Sequence, residues 1–269
     1  SAISATSMRT LHSAGSQGLS NTAWALAALR FCHPPLLDAV AFESLARMSQ
    51  FSPQEISNTA WAFAKLAVEN APLLHALSAA ARKTMDDFPP QSLTNTAWAF
   101  ATLLVQDLPL LAAISAAALR RMEDFGPQEL SNTSWALAKL ECFDSPLMDA
   151  ISAAALRTIS QFAPQNIGNT AWAFAKLGMR DMPLLAAISA PALPRLSTLG
   201  PQGLTNLAWS WAVLSLHDQP FLAALAGQSL SSLSEYNLQN LSNTAWSMAA
   251  LVYLDYPLLD AIAGPSLAR

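Results

Sequence analysis

Apolar residues recur with a helical period along the chain. In the segment that begins at Pro53, the spacings of four, three, one and three residues predict one helix face, made of Ile56, Ala60, Phe63, Ala64 and Ala67. Another side of the same helix carries, at spacings of four, three and four, Gln54, Asn58, Trp61 and Lys65. A helix that is apolar on one side and carries Trp on another must contact neighbours in two directions, as the helices of a stacked array do.

The same pattern returns every 37 residues without an insertion. The tryptophans fall at Trp24, Trp61, Trp98, Trp135, Trp172, Trp209 and Trp246. Fixed columns with the same step begin at Gln17, Asn21 and Pro35. Such a period is typical of a repeat architecture, in which each unit buries its faces only against its neighbours.

Each repeat predicts two helices. The first starts at a proline, as in residues 109–122, because the missing N–H costs nothing at the first helical position, and Ala and Leu follow. The second starts at a proline in five copies, and Ser52 with Glu55 predicts a capping box. We therefore predict an all-α fold, an α-solenoid of tandem two-helix 37-residue repeats that forms a superhelix.

Both ends of the sequence fall inside a first helix. Residues 2–5 align with residues 39–42, and residues 257–269 read as a first helix without its partner. We expect residues 1–269 to form a single array of about seven helix pairs. We also expect the array to belong to a longer protein, because neither end resembles the polar cap that a free solenoid needs.

Composition and charge narrow the possible functions. The chain is 52% hydrophobic and 12% charged, with a net charge of −4, so it lacks the strongly basic character typical of nucleic-acid binders. Cys32 and Cys142 lie about three repeats apart, too far for a disulfide, so we expect free thiols. Turn and amide signals interrupt the uncharged stretches 196–216 and 236–254, so no membrane span is predicted. No targeting peptide is visible in the sequence.

The second-helix motif is specific. Residues 53–66, Pro-Gln-Glu-Ile-Ser-Asn-Thr-Ala-Trp-Ala-Phe-Ala-Lys-Leu, resemble the octotricopeptide family of helical-pair repeats and, with the 37-residue period, its heptatricopeptide relative. The resemblance covers essentially the whole chain, with departures that include Gly168, Leu207 and Leu238. It implies a protein of the chloroplast or mitochondrion that binds single-stranded organellar RNA in RNA processing, stability, translation or ribosome assembly. The RAP domain that many members carry is not seen in this sequence.

Two sets of polar positions are candidates for a role in binding. The fixed columns are expected to be structural, since a residue that reads sequence must differ between repeats; they include Gln54, Asn58, Trp61, Asn95, Trp98, Asn132, Trp135, Asn169 and Trp172. Their amides would tie one repeat to the next, although an exposed Trp would stack a base. The column after Gln varies, so we expect it to be exposed and to set recognition; it includes Glu55, Ser92, Glu129, Asn166 and Asn240.

Cations form three partly basic columns. One lies on the second helix and supplies Lys65, Lys139 and Lys176. Two lie near the end of the first helix and supply Arg9, Arg47, Lys83, Arg120, Arg121, Arg157 and Arg195. These cations are the candidates for contact with RNA phosphates. The alternative is that they favour the C-termini of helices, and nearby acids such as Asp86 and Asp124 would neutralise much of their field.

No pattern supports catalysis. The histidines do not share a column, and the sequence has no zinc-ligand spacing, phosphate-binding loop or hydrolase motif. We therefore predict no enzyme activity, no cofactor, no metal and no small-molecule substrate. Two functions remain, a module that grips single-stranded RNA along its groove and a protein-binding scaffold or adaptor subunit of a large organellar complex. The family resemblance favours the first, and the low basic content favours the second.

Overall fold

Fourteen α-helices lie wholly within residues 11–267, which the computed structural model describes, with side chains as far as residue 264. The Trp-bearing second helices are α1 (Ser16–Ala28), α3 (Pro53–Lys65), α5 (Pro90–Thr102), α7 (Pro127–Lys139), α9 (Pro164–Lys176), α11 (Pro201–Val213) and α13 (Leu238–Ala250). The first helices are α2 (Pro34–Ala46), α4 (Ala71–Lys83), α6 (Leu108–Arg120), α8 (Ser145–Thr158), α10 (Met182–Ala192), α12 (Gln219–Ser231) and α14 (Tyr256–Leu267). The first helix expected at residues 2–5, and Arg9, lie outside the described residues.

The chain divides into two compact units, Ser1–Asp124 with α1–α6 and Phe125–Arg269 with α7–α14. Within each unit, every second helix packs against the next second helix and against the first helix that follows it in sequence. No strand occurs among residues 11–267. The fold is therefore an all-α solenoid of helix pairs, as the period predicts.

Successive second helices contact each other far more extensively than successive first helices do. Small side chains allow this close approach. A Cβ built on Gly168 of α9 would lie 3.5 Å from the Cα of Gly203 on α11, and Ser57 Oγ donates to Ser92 Oγ at 3.1 Å between α3 and α5. The apolar core lies between the second and first helices, where a buried residue such as Phe174 contributes about 1.5–3 kcal/mol.

Side-chain caps start the first helices, and among the second helices they start α3 and α13. The predicted capping box is present, because Ser52 Oγ accepts from the Glu55 N–H at 3.4 Å and Glu55 Oε2 accepts from the Ser52 N–H at 2.8 Å. The first helices start one residue earlier than predicted. Asp107 is the N-cap of α6, its Oδ1 accepts from the Leu110 N–H at 3.0 Å, and Pro109 is therefore the second helical residue.

Each second helix ends with a residue at positive φ. This column runs Arg30, Ala67, Leu104, Glu141, Gly178, Ser215 and Val252, with φ from 52° to 70°. The next N–H then closes the helix end; the Val68 N–H donates to the Phe63 carbonyl at 2.9 Å. Glycine alone adopts this backbone without cost, so every position in the column except Gly178 stores strain of about 1–2 kcal/mol.

Cys32 and Cys142 are free thiols, as expected from their separation. Burial raises the pKa of the Cys142 thiol, which keeps it protonated and weakly reactive at neutral pH. Between residues 11 and 267, no helix combines the length and the apolar character needed to cross a membrane.

Candidate binding face of the second helices

The fixed Gln, Asn and Trp columns lie on one surface of the second helices in each unit, which we name the amide–indole face. Their spacing of four and then three residues places them on one side of each helix. On α3, Gln54 is exposed while Asn58 and Trp61 are half-buried. Trp24 and Trp246, on the outermost second helices, are 49% and 50% exposed.

The indoles of the second unit form a ladder. Ring centroids of Trp135 and Trp172 lie 6.4 Å apart, and those of Trp172 and Trp209 lie 6.3 Å apart, with interplanar angles of 35° and 32°. These rings are tilted with respect to each other, and each is half-buried, so part of each indole remains exposed to solvent. Trp211 differs, because it is buried in the core, where its ring centroid lies 4.5 Å from that of Phe221.

Most of the fixed asparagines do not tie repeats together, in contrast to the structural role expected for them. No hydrogen bond within the described part of the chain engages the half-buried side chains of Asn58, Asn95, Asn132 and Asn169. Asn206 is bonded, but within its own helix, where its Oδ1 accepts from Gln202 Nε2 at 2.8 Å. The columns therefore present donors and acceptors to solvent.

Amide-lined clefts open on this face between neighbouring second helices. In the first unit, a cleft of about 500 Å³ is lined by residues that include Asn21, Gln54, Asn58, Gln91 and Asn95. In the second unit, a cleft of about 460 Å³ is lined by residues that include Gln165, Asn169, Gln202, Asn206, Gly168 and Gly203. Gly168 and Gly203 add no side chain to this cleft; a Cβ on Gly168 would approach the backbone of Gly203, and a Cβ on Gly203 would meet the side chain of Leu199.

The variable column lies at the junction of second helices. The expected exposure is wrong for Ser92 and Asn240, which are 4% and 3% exposed. Asn166 Nδ2 donates to Ser131 Oγ of the preceding second helix at 2.9 Å. Glu55 and Glu129 are half-buried. These members of the column therefore lie between neighbouring second helices and contribute little to the outer surface.

One arginine column joins neighbouring repeats through hydrogen bonds to backbone carbonyls, and we call each such arginine a clip. Arg121 Nη1 donates to the Phe88 carbonyl at 3.0 Å, and its Nη2 donates to the Asp86 carbonyl. The other two members bond in the same way, Arg47 to the carbonyl of His12 and Arg195 to those of Ser160 and Phe162. Three of the predicted phosphate-binding cations therefore have a structural partner.

Acids neutralise several of the other predicted cations. Arg120 forms an exposed ion pair with Asp86, and Lys176 Nζ bonds Glu141 Oε1 at 2.7 Å. The hydrogen bond from Lys176 holds the pKa of the Glu141 carboxyl below its ordinary value. In the same way, Arg47 lowers the pKa of the buried Glu43 carboxyl.

The remaining cations are exposed and scattered. Lys65, Lys83 and Lys139 form no ion pair within residues 11–267, and Arg157 Nη1 donates only to a carbonyl of its own helix. Lys65, Lys139 and Lys176 lie at the last turn of their second helices and border the amide–indole face, whereas Lys83, Arg120 and Arg157 end first helices. The structure thus does not gather the predicted cations into one site.

Fold and surface together define a helical-repeat protein with an amide-rich candidate binding face. A family model described as RNA-editing substrate-binding complex 6 protein matches residues 4–145. Because this match covers just over half of the 269 residues, the chain belongs to that family. A second model, for a protein family of unknown function named DUF1601, matches residues 143–170. No curated protein matches the chain. A helical family associated with RNA is what the sequence resemblance implied.

Proposed function

We propose that the chain is a non-catalytic scaffold subunit of an RNA-processing complex, which holds a protein partner on the amide–indole face. The neutrality of that face carries the proposal. Its fixed side chains are carboxamides and indoles, and of its bordering lysines Lys176 is already paired with Glu141. A surface of this kind recognises neutral polar groups and apolar side chains, whereas a polyanion needs a row of free cations.

Direct contact with single-stranded RNA is the second candidate function. The ladder of Trp135, Trp172 and Trp209 favours it, because half-exposed indoles at regular spacing are platforms on which bases stack. The family's description as a protein of an RNA-editing substrate-binding complex also fits this function. In this arrangement Lys65, Lys139 and Lys176 would supply the phosphate contacts at the border of the face.

Salt-dependent RNA binding separates the two functions. Binding of the purified chain to a random single-stranded RNA pool would be measured at several salt concentrations. Each phosphate contact contributes a slope of about 0.7 in a plot of log affinity against log salt. A scaffold predicts weak binding and a slope below about 2. Tight binding with a slope of several units would refute the scaffold proposal and support the RNA-binding function.

A second measurement tests the scaffold function in the cell. The tagged full chain would be purified from its source with and without ribonuclease treatment. We expect the same defined set of partner proteins in both samples, because the partner is held by protein contacts. Loss of every partner after ribonuclease treatment would contradict a scaffold and indicate that RNA bridges the complex.

The finer family assignment and the location belong to the same proposal. The motif of residues 53–66 supports repeats of the octotricopeptide or heptatricopeptide type, and that resemblance implies an organelle. The complex therefore lies in a chloroplast or a mitochondrion. Imaging of the full-length protein fused to a fluorescent reporter tests this, and a cytosolic signal would contradict it.

A further inference from the structure

We propose that the amide–indole face of the second unit binds an extended polypeptide segment and recognises its main chain. The inference rests on the proposed scaffold function and names the occupant of the face. It starts from the fixed columns of α7, α9, α11 and α13, which repeat one pattern of Gln, Asn and Trp four times. Because these side chains are identical in every repeat, we infer that they contact the repeated main chain of a polymer and not its variable side groups.

The chemistry of the fixed side chains selects a peptide main chain. A carboxamide offers N–H donors and a carbonyl acceptor, the same groups that a peptide unit presents. Asn132 and Asn169 hold such groups half-buried and without a partner in the described chain. The repeated part of RNA is the ribose-phosphate backbone, and recognition of its phosphates depends on cations. Lys139 and Lys176 end the helices that carry these amides, and Lys176 is paired with Glu141.

The spacing of the indoles fits an extended strand. Successive ring centroids in the ladder are 6.4 Å and 6.3 Å apart. Two residues of an extended chain span about 6.7 Å, and side chains two residues apart point to the same side. Every second side chain of the segment therefore meets the exposed part of one indole. Aliphatic side chains suit such a surface because it is apolar, and Lys139 at its border disfavours basic residues.

The cleft geometry places the main chain beside the indoles. Gln165, Asn169, Gln202 and Asn206 line one cleft between α9 and α11. Gly168 and Gly203 also line this cleft and contribute no side chain to it. A strand that crosses the second helices here can exchange main-chain hydrogen bonds with Asn169 while an aliphatic side chain packs on the neighbouring indole.

A peptide-display selection tests the proposal on the full chain. A random twelve-residue peptide library would be the probe, and binding of each selected peptide would be followed by Trp fluorescence. We expect peptides with an aliphatic residue at every second position. N-methylation of the main chain at the intervening positions should weaken binding at least tenfold, which is about 1.4 kcal/mol. Recovery of no binder, or binding that N-methylation leaves unchanged, would overturn the proposal.

Variants of the chain locate the binding surface. Asn169→Leu keeps the branched side-chain shape and removes both donor and acceptor, so it should weaken peptide binding at least tenfold at unchanged helicity. Arg157→Ala, on a first helix, is the control and should bind normally. Equal binding by Asn169→Leu would place the peptide elsewhere and overturn the proposal. If Asn169→Leu instead abolished binding of a single-stranded RNA pool, the face would be an RNA site.

Failure here is distinguishable from failure of the scaffold function. If Asn169→Leu and the unaltered chain purify the same partner proteins after ribonuclease treatment, the scaffold function stands and the main-chain site is refuted. If neither sample holds a partner, the scaffold function itself is refuted. A partner retained by the unaltered chain and lost from Asn169→Leu supports both proposals.

Discussion

Adjacent arginines at the end of a first helix should contribute unequally to stability, because one bonds the preceding repeat through backbone carbonyls and the other does not. Arg121 and Arg120 are adjacent, yet Arg121 bonds two backbone carbonyls and Arg120 forms an ion pair with the Asp86 carboxylate. In the Arg120 pair the side chains are 57% and 86% exposed. A hydrogen bond to a charged donor contributes about 1.5–3 kcal/mol when buried, whereas an exposed ion pair contributes about 0–1 kcal/mol.

Arg121→Met should therefore destabilise the chain by about 2 kcal/mol. The value counts the half-buried bond to the Phe88 carbonyl in full and discounts the exposed bond to the Asp86 carbonyl. Methionine keeps the apolar stem, so the loss reports the guanidinium. The matched control, Arg120→Met, should cost less than about 0.5 kcal/mol.

Urea unfolding followed by circular dichroism gives both free energies. Long repeat arrays depart from two-state unfolding, so amide hydrogen exchange around residues 86–88 would be measured as well. Exchange there should accelerate in Arg121→Met and remain unchanged in Arg120→Met. Equal losses in the two variants, or a larger loss for Arg120→Met, would refute the assignment of Arg121 as a clip.

Three further perturbations test the helix ends and one carboxylate. Ala67→Gly should stabilise the chain by about 1 kcal/mol and Gly178→Ala should destabilise it by a similar amount, because both residues have positive φ. Thermal unfolding measures both changes, and a change of the same sign in both variants would contradict the prediction. Asp107→Ala should cost about 1 kcal/mol and Asp107→Asn much less, as measured in urea, since Asp107 is an N-cap. Arg47 lowers the pKa of Glu43, so the stability that the carboxylate contributes is present at neutral pH and is lost as pH falls below about 4. The stability difference between the unaltered chain and Glu43→Gln should shrink over that range, and a difference that grows in acid would show the opposite sign.

Much of the fold follows from local signals, but helix junctions do not. The period, the helix pairs and the capping box at Ser52 can be predicted from the sequence because they depend on residues within one repeat. The cap at Asp107 could also be predicted, since an Asp or Asn recurs two residues before the fixed proline in most copies. The proline alone misplaced that helix start by one residue.

The candidate site could be predicted only in part. The Gln, Asn and Trp columns mark the face, but their exposure depends on how closely successive second helices approach. Variation at Ser92 and Asn240 indicated exposure, yet both are buried because that side of the helix faces its neighbour. The role of Arg121 was not predictable, since its acceptors lie 33 and 35 residues earlier in the chain.

The small residues between second helices have an evolutionary consequence. Because Gly168 and Gly203, or Ser57 and Ser92, meet without interlocking large side chains, each junction makes few demands on the identity of its neighbour. Duplication or deletion of a whole 37-residue segment would join two surfaces that already fit. Relatives should therefore differ in length by multiples of that segment. The length of the binding surface can then change during evolution without a new helix–helix interface.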